Sequence, residues 1–98
     1  MSEQRVRLDK WLWYARLYKS RTLAAGACSA GRIRLNGTHT DKPHHSLKAG
    51  DVLTLPYWPR IRVIRVLAIG SRRGPAREAR LLYEDLAPAV VSEAPRRD

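Results

Sequence analysis

The chain reads as an α+β domain: two N-terminal helices, then a small, mainly antiparallel, turn-rich sheet, a C-terminal helix and a disordered tail. Apolar residues recur at helical spacing between Leu8 and Ala30, and charged and apolar residues alternate from Arg32. The turn signals Asn36-Gly37, Lys42-Pro43 and Gly50-Asp51 then punctuate the middle of the chain. With 98 residues it can bury one modest core and leaves no room for a second, catalytic domain.

After a polar lead over residues 1–6, Leu8, Trp11, Leu12, Ala15 and Tyr18 predict a first helix over 8–18, with Lys19 suited to the negative end of its dipole. Ser20 is an N-cap, opening a helix over 21–30 that Gly31 stops in the left-handed conformation. Cys28 falls on its apolar face. Arg32-Ile33-Arg34-Leu35 is a half-buried strand, and Asn36-Gly37 is the strongest short hairpin signal. Pro43, between Lys42 and two histidines, makes the next piece an irregular edge, before the strand Val52 to Leu55.

Pro56-Tyr57-Trp58-Pro59 predicts a turn, and residues 60–69 a long strand with Ile61, Val63 and Arg65 on one face and Ile64, Val66 and Ala68 on the other. Gly70 to Gly74 is a basic loop, and Pro75 opens a final amphipathic helix. Pro75, Ala79, Leu82 and Leu86 form its apolar stripe, and Arg73, Arg77, Arg80 and Glu84 its outer one. The domain proper is expected over 7–70, the loop and helix over 71–86, and a disordered tail over 87–98, where Ala, Pro, Ser and charge bury too little to offset ordering.

Lys and Arg number 19 against 9 acids, a net charge of +10, and the excess persists in both halves. A polyanion partner is implied. The cations are mostly Arg, whose planar fork suits phosphates and bases, which favours nucleic acid over a membrane surface. No apolar run approaches the roughly 20 residues of a spanning helix, and the polar start is not a signal peptide. Together with the single cysteine, Cys28, this predicts a cytoplasmic protein.

Arg7, Lys10, Lys19, Arg21, Arg32 and Arg34 lie at helix ends and on the first strand, where a compact unit can gather them on one surface. The alternative is a scattered, solvated set of charges. Trp11 and Trp13 sit about 200° apart on a helix, so Trp11 belongs to the core. Trp13 then either stacks on a base or packs against later strands. Asp9 and Asp51 read as structural, Asp9 favouring the helix dipole and able to hold Arg21 or a neighbouring Arg. Cys28, His39, His44 and His45 match no common metal spacing, no nucleophile-base pair stands out, and no cofactor is called for.

The order Arg7-Leu8-Asp9, Ser20-Arg21, Gly31-Arg32-Ile33, Asn36-Gly37, Lys42-Pro43 and Gly50-Asp51 resembles the small RNA-binding domain of ribosomal protein S-four. Leu8 to Trp13, Arg16-Leu17 and Arg72-Arg73-Gly74-Pro75-Ala76 look like the fifteen-kilodalton heat shock protein family, and extend the likeness over most of the chain. That resemblance implies a noncatalytic, ribosome-associated protein. It would bind the large ribosomal subunit blocked by nascent-chain tRNA, contact rRNA and tRNA, and help rescue or recycle the particle.

The RNA contacts implied fall on Arg7, Lys10, Ser20, Arg21, Arg32, Arg34 and Lys42; charge suggests Arg72, Arg73 and Arg77, with Trp13, as an extension. Many members have Ser after the Lys-Pro, where this chain has His44. The partners expected are therefore structured RNA and the large subunit, with no membrane, and a monomer away from the ribosome. Two rivals remain open: an RNA-binding subunit of a pseudouridine synthase-like enzyme, and a protein-interaction adaptor using Trp13, Tyr57 and Trp58.

Overall fold

The structure is a computed structural model that describes residues 4–57 and 60–86. Strand β1 (Val6–Arg7) leads directly into helix α1 (Leu8–Tyr14), and helix α2 (Arg21–Ser29) follows. Strands β2 (Ile33–Leu35), β3 (Thr38–Thr40), β4 (Ser46–Leu47), β5 (Val52–Tyr57) and β6 (Arg60–Val66) come next. Helix α3 (Ala76–Ala79) continues as a 3-10 turn (Arg80–Leu82) into strand β7 (Tyr83–Asp85). Five strands form an antiparallel sheet in the order β3-β2-β5-β6-β7, and β1 pairs with β4 beside it. The expected tail and the Trp58-Pro59 part of the expected turn lie outside the described residues.

Helix α1 stops at Tyr14, four residues short of the expected end, because Arg16 takes the left-handed conformation at φ 60°. The Arg16 N–H donates to the Trp13 carbonyl (3.1 Å) and the Leu17 N–H to the Leu12 carbonyl (3.1 Å). This is the double-bonded helix stop usually built on glycine. Helix α2 ends the same way on Gly31 (φ 72°), with Gly31 N–H to Cys28 and Arg32 N–H to Ala27. At its start the Ser20 hydroxyl accepts from the Leu23 N–H at 3.1 Å, the cap that the sequence predicts.

Both helices pack on one face of the sheet. Leu8, Trp11, Leu12, Ala24 and Cys28 meet Ile33, Leu47, Leu53, Ile64 and Val66 there, all essentially without solvent exposure. Each large side chain so buried contributes roughly 1.5–3 kcal/mol before entropy is subtracted. The Trp11 indole N–H donates to the Ala68 carbonyl at 2.8 Å, so the core tryptophan also anchors the segment that follows β6. The opposite sheet face carries Arg34, Thr54 and Val63 in one cross-strand row and Val52, Arg65 and Glu84 in the next.

Strand β5 runs through Pro56 and Tyr57, where the sequence suggests a turn. Strand β2 stops opposite Thr54 and Leu53, so Pro56, paired to Ile61 on its other side, faces no partner that needs its missing N–H. Strand β6 ends at Val66, short of the expected residue 69, because Leu67 and Ala68 turn to donate to the Leu82 carbonyl (2.8 and 3.2 Å).

The C-terminal helix is present and shorter than its apolar stripe suggests. A longer helix needs the Leu82 carbonyl for the Leu86 N–H, yet that carbonyl serves Leu67 and Ala68, and the Leu86 N–H donates to Val63 (2.9 Å). Pairing the open edge of β6 satisfies a row of backbone groups that one exposed helical turn leaves in water. Arg62 secures the edge, its Nε and Nη2 donating to the Asp85 carboxylate (2.8 and 3.2 Å) and Nη2 also to the Tyr83 hydroxyl (3.1 Å).

Candidate nucleic-acid interface

The start of α1 is built from both ends of the chain's first half. Its first two amides are satisfied by a distant loop: Leu8 N–H donates to the His45 carbonyl (2.9 Å) and Asp9 N–H to that of Pro43 (3.0 Å). The Lys42-Pro43-His44-His45 turn is thereby pressed against the helix start.

Asp9, only 3% exposed, organises the cations around this point. Its carboxylate accepts from Arg7 Nε and Nη2, both at 3.0 Å, and lies 3.8 Å from Arg21 Nε. Arg7 and Arg21 keep about half and two fifths of their side chains in solvent. Hydrogen bonding to Asp9, and then its charge, holds the Arg7 guanidinium still more firmly protonated. A single buried carboxylate thus bonds the half-exposed Arg7 and draws Arg21 close, and the turn pressed against this helix start opens with the exposed Lys42. Fixed forks of this kind suit bidentate phosphate contacts and lose little entropy on binding.

Of the other expected residues, Lys10 places its ammonium 5.8 Å from the Tyr14 ring centroid, one turn along α1. Ser20 faces the start of α2 with its oxygen already accepting from Leu23. Arg32 is exposed at the end of α2 and makes no ion pair among the described residues. Arg34 is set apart: alternation along β2 turns it to the sheet face away from the helices, where its Nε donates to His39 Nε2 at 3.2 Å. Arg72 pairs with Glu78 at 2.9 Å, and Arg77 is exposed.

Trp13 is half-buried and Arg73 lies over its ring, 5.5 Å from the centroid, donating from Nε to the Trp13 carbonyl at 3.1 Å. The Trp13 ring thus packs beside Tyr14, 6.2 Å between centroids, and under a cation from the basic loop, rather than against the later strands. Nothing in the spacing singles out Arg16, whose Nε donates to the Gly74 carbonyl at 2.7 Å. The apolar stripe of Leu12, Ala15 and Tyr18 continues past it and gives no sign of the stop. Arg62 is likewise unannounced.

Among the described residues no cluster of three or more His, Cys, Asp and Glu is placed to hold a metal ion, and no helix is long and apolar enough to cross a membrane. Cys28 is buried, and burial, with a smaller push from Asp9, raises its thiol to about 11.

A cap-bearing helix pair on a twisted antiparallel sheet, with Arg7, Asp9, Arg21 and the Lys-Pro turn at one corner, is the architecture of an S4-domain protein, and the S4 domain family model matches residues 6–53. Heat shock protein 15 of Escherichia coli is 45% identical over 85 residues, 87% of this chain and 63% of that protein. The present chain thus spans less than two thirds of that relative's length. The structure described as trimeric Vibrio cholerae Heat Shock Protein 15 has a TM-score of 0.82 and 37% identity, covering 91% of this chain and 89% of that one. The RQC P-site tRNA stabilizing factor of Helicobacter pylori is 36% identical over 78 residues, 80% of this chain and 92% of that protein. The chain belongs to the heat shock protein 15 family, with an S4 domain at its core.

Proposed function

We propose that this chain is a noncatalytic RNA-binding protein of the large ribosomal subunit, contacting rRNA and tRNA and helping rescue or recycle subunits blocked by nascent-chain tRNA. The observation that carries the reading is the Asp9-centred pair of Arg7 and Arg21 at the helix start, against which the Lys42 turn is pressed. Phosphates of a structured RNA dock on that corner, with Lys10, Ser20 and Arg32 flanking it. Arg34 serves from the other sheet face, and Trp13, Arg72, Arg73 and Arg77 extend the contact along the 71–86 segment. Recognition is by shape and backbone more than by sequence. The likeness to a relative named for stabilising P-site tRNA supports the tRNA side of the reading.

The protein acts in the cytoplasm, and as a single copy when off the ribosome. Sucrose-gradient sedimentation of lysate from cells expressing tagged protein, with and without stalled translation, tests the ribosomal part. Enrichment on large subunits carrying peptidyl-tRNA is expected, and absence from every ribosomal fraction at low salt overturns it. If about six phosphates are neutralised, log affinity falls with log salt with a negative slope of magnitude somewhat below about 6. Arg21→Ala and Arg32→Ala each weaken binding without unfolding the domain; unchanged affinity in both refutes the assigned face.

A further inference from the structure

Between α2 and the end of β5 lies an open groove of about 560 Å³ whose apolar lining includes Tyr18, Leu23, Gly26, Ala30 and Pro56, with Arg32 at its rim. Its size is within the range of small-molecule sites. Leu23 is 55% exposed, a large apolar side chain left in water at the groove's edge. At Gly26 a β-carbon would meet nothing within 4 Å, so the helix backbone there is open to an incoming flat group.

We propose that this groove takes an unpaired nucleobase of the bound RNA, stacked against Tyr18 and the α2 surface, while Arg32 holds that nucleotide's phosphate. The inference rests on the RNA-binding reading above and names what that surface selects.

Charge decides the occupant. The floor is apolar but a cation belongs to the lining: Arg32 is exposed there, and Lys19 and Arg21 flank the Tyr18 and Thr22 positions in the chain. A lone apolar peptide side chain gains nothing from those cations, whereas a nucleotide presents a planar, weakly polar ring and an anion together. The Arg32 charge also reaches Tyr18: burial raises the phenol's pKa, and Arg32 acts against that rise. The ring and the guanidinium therefore sit at one place. The groove shares Arg32 with the expected interface, so a base leaving a paired stem there keeps a phosphate contact at that residue.

The test uses the full chain and two synthetic RNA hairpins, one fully paired and one with a single bulged 2-aminopurine. Wild-type protein should bind the bulged hairpin roughly tenfold tighter, as stacking one base on an aromatic side chain allows, and quench the 2-aminopurine fluorescence. Gly26→Leu fills the groove from a helical position where Leu is favoured over Gly. It should erase the preference and the quenching while leaving paired-stem affinity and the melting temperature no lower than wild type. Tyr18→Leu, which keeps bulk but removes the ring, should lose the quenching too.

Equal wild-type binding to both hairpins overturns the base site and leaves the RNA reading standing. Retained preference in Gly26→Leu overturns it as well. Binding of neither hairpin defeats the RNA reading and the site with it. A change from oligomer to monomer in Gly26→Leu, seen by sedimentation, assigns the groove to a second copy of the chain and also overturns the proposal.

Discussion

The side-chain amide of Asn36 donates to the Asp51 carboxylate at 3.2 Å, joining two turns that are fifteen residues apart. Asn36 Oδ1 also accepts from the Val52 N–H (2.8 Å), and Asp51 accepts from the Lys48 N–H (2.9 Å) and ammonium (3.2 Å). Asn36-Gly37 closes the β2–β3 hairpin with both residues at positive φ, 52° and 85°. The same asparagine then locks β2 to the start of β5.

Asp51 is 5% exposed, and its removal leaves the Asn36 amide and the Lys48 N–H without their acceptor. Asp51→Ala should cost about 1–3 kcal/mol, measured by urea unfolding. Burial alone pushes the Asp51 carboxyl up, but the bonds from the Lys48 N–H, the Asn36 amide and the Lys48 ammonium outweigh it and hold the pKa below its ordinary 3.8. The folded state therefore binds this proton less readily than the unfolded chain. Its contribution is complete above about pH 4 and lost as pH falls through the lowered value. Wild type should lose more stability than Asp51→Asn between pH 5 and pH 2; equal losses rule the carboxylate out.

Asp9 makes a prediction that runs against net charge. Asp9→Asn raises the charge by one, which generic attraction to RNA rewards. Because Asp9 fixes Arg7 and Arg21, affinity should instead fall severalfold, with a salt slope shallower by roughly one to two phosphates. Filter binding across salt concentrations reads both quantities. Tighter binding by Asp9→Asn at unchanged melting temperature rejects the positioning role.

Arg16 holds the left-handed position that usually goes to glycine, and its side chain secures Gly74. Arg16→Ala keeps the backbone strain and loses the bond, for an expected cost of about 1–2 kcal/mol. Arg16→Gly loses the bond but relieves the strain, so it should be less destabilising by about 1 kcal/mol. A thermal melt of the two variants with the wild type gives the order. If Arg16→Gly is the worse, the strain argument fails.

Burial raises the Cys28 thiol from near 9 to about 11, so it should resist iodoacetamide at pH 8 and react once urea unfolds the chain. Between those values the unfolded chain releases the proton while the folded one keeps it. Stability present below about pH 9 should thus decline until about pH 11, then level. Cys28→Ala should make that decline shallower and delay its onset, leaving the part above about pH 10 that the raised Tyr18 phenol contributes.

Much of this was legible locally. Residues two apart on a helix cannot share a core, which separates Trp11 from Trp13. Asn36-Gly37 states its hairpin outright, Ser20 and Gly31 bracket α2, and the chain order of Arg7, Asp9, Ser20 and Arg21 carries the S4 likeness. What stayed hidden depends on distant partners. The stripe of Ala79, Leu82 and Leu86 favours a helix until the open edge of β6 competes for the same amides. Alternation shows that Ile33 and Arg34 face opposite ways, but not which face the helices cover, so Arg34 looked like a companion of Arg32. The short α1 needed Gly74 in place before its Arg16 stop could be seen.

Helices α1 and α2 also differ in what each requires of the rest of the chain. The second carries its own cap and its own stop within Ser20 to Arg32. The first takes its opening acceptors from Pro43 and His45 and steadies its closing turn through Gly74. On a chain emerging from its N-terminus, the earlier helix is therefore the later one to be secured, and the basic corner built on Asp9 is assembled only after its partners have been synthesised. The Arg7 to Asp9 bond is local, but the helix start that carries it is held only by the later turn at Pro43 and His45.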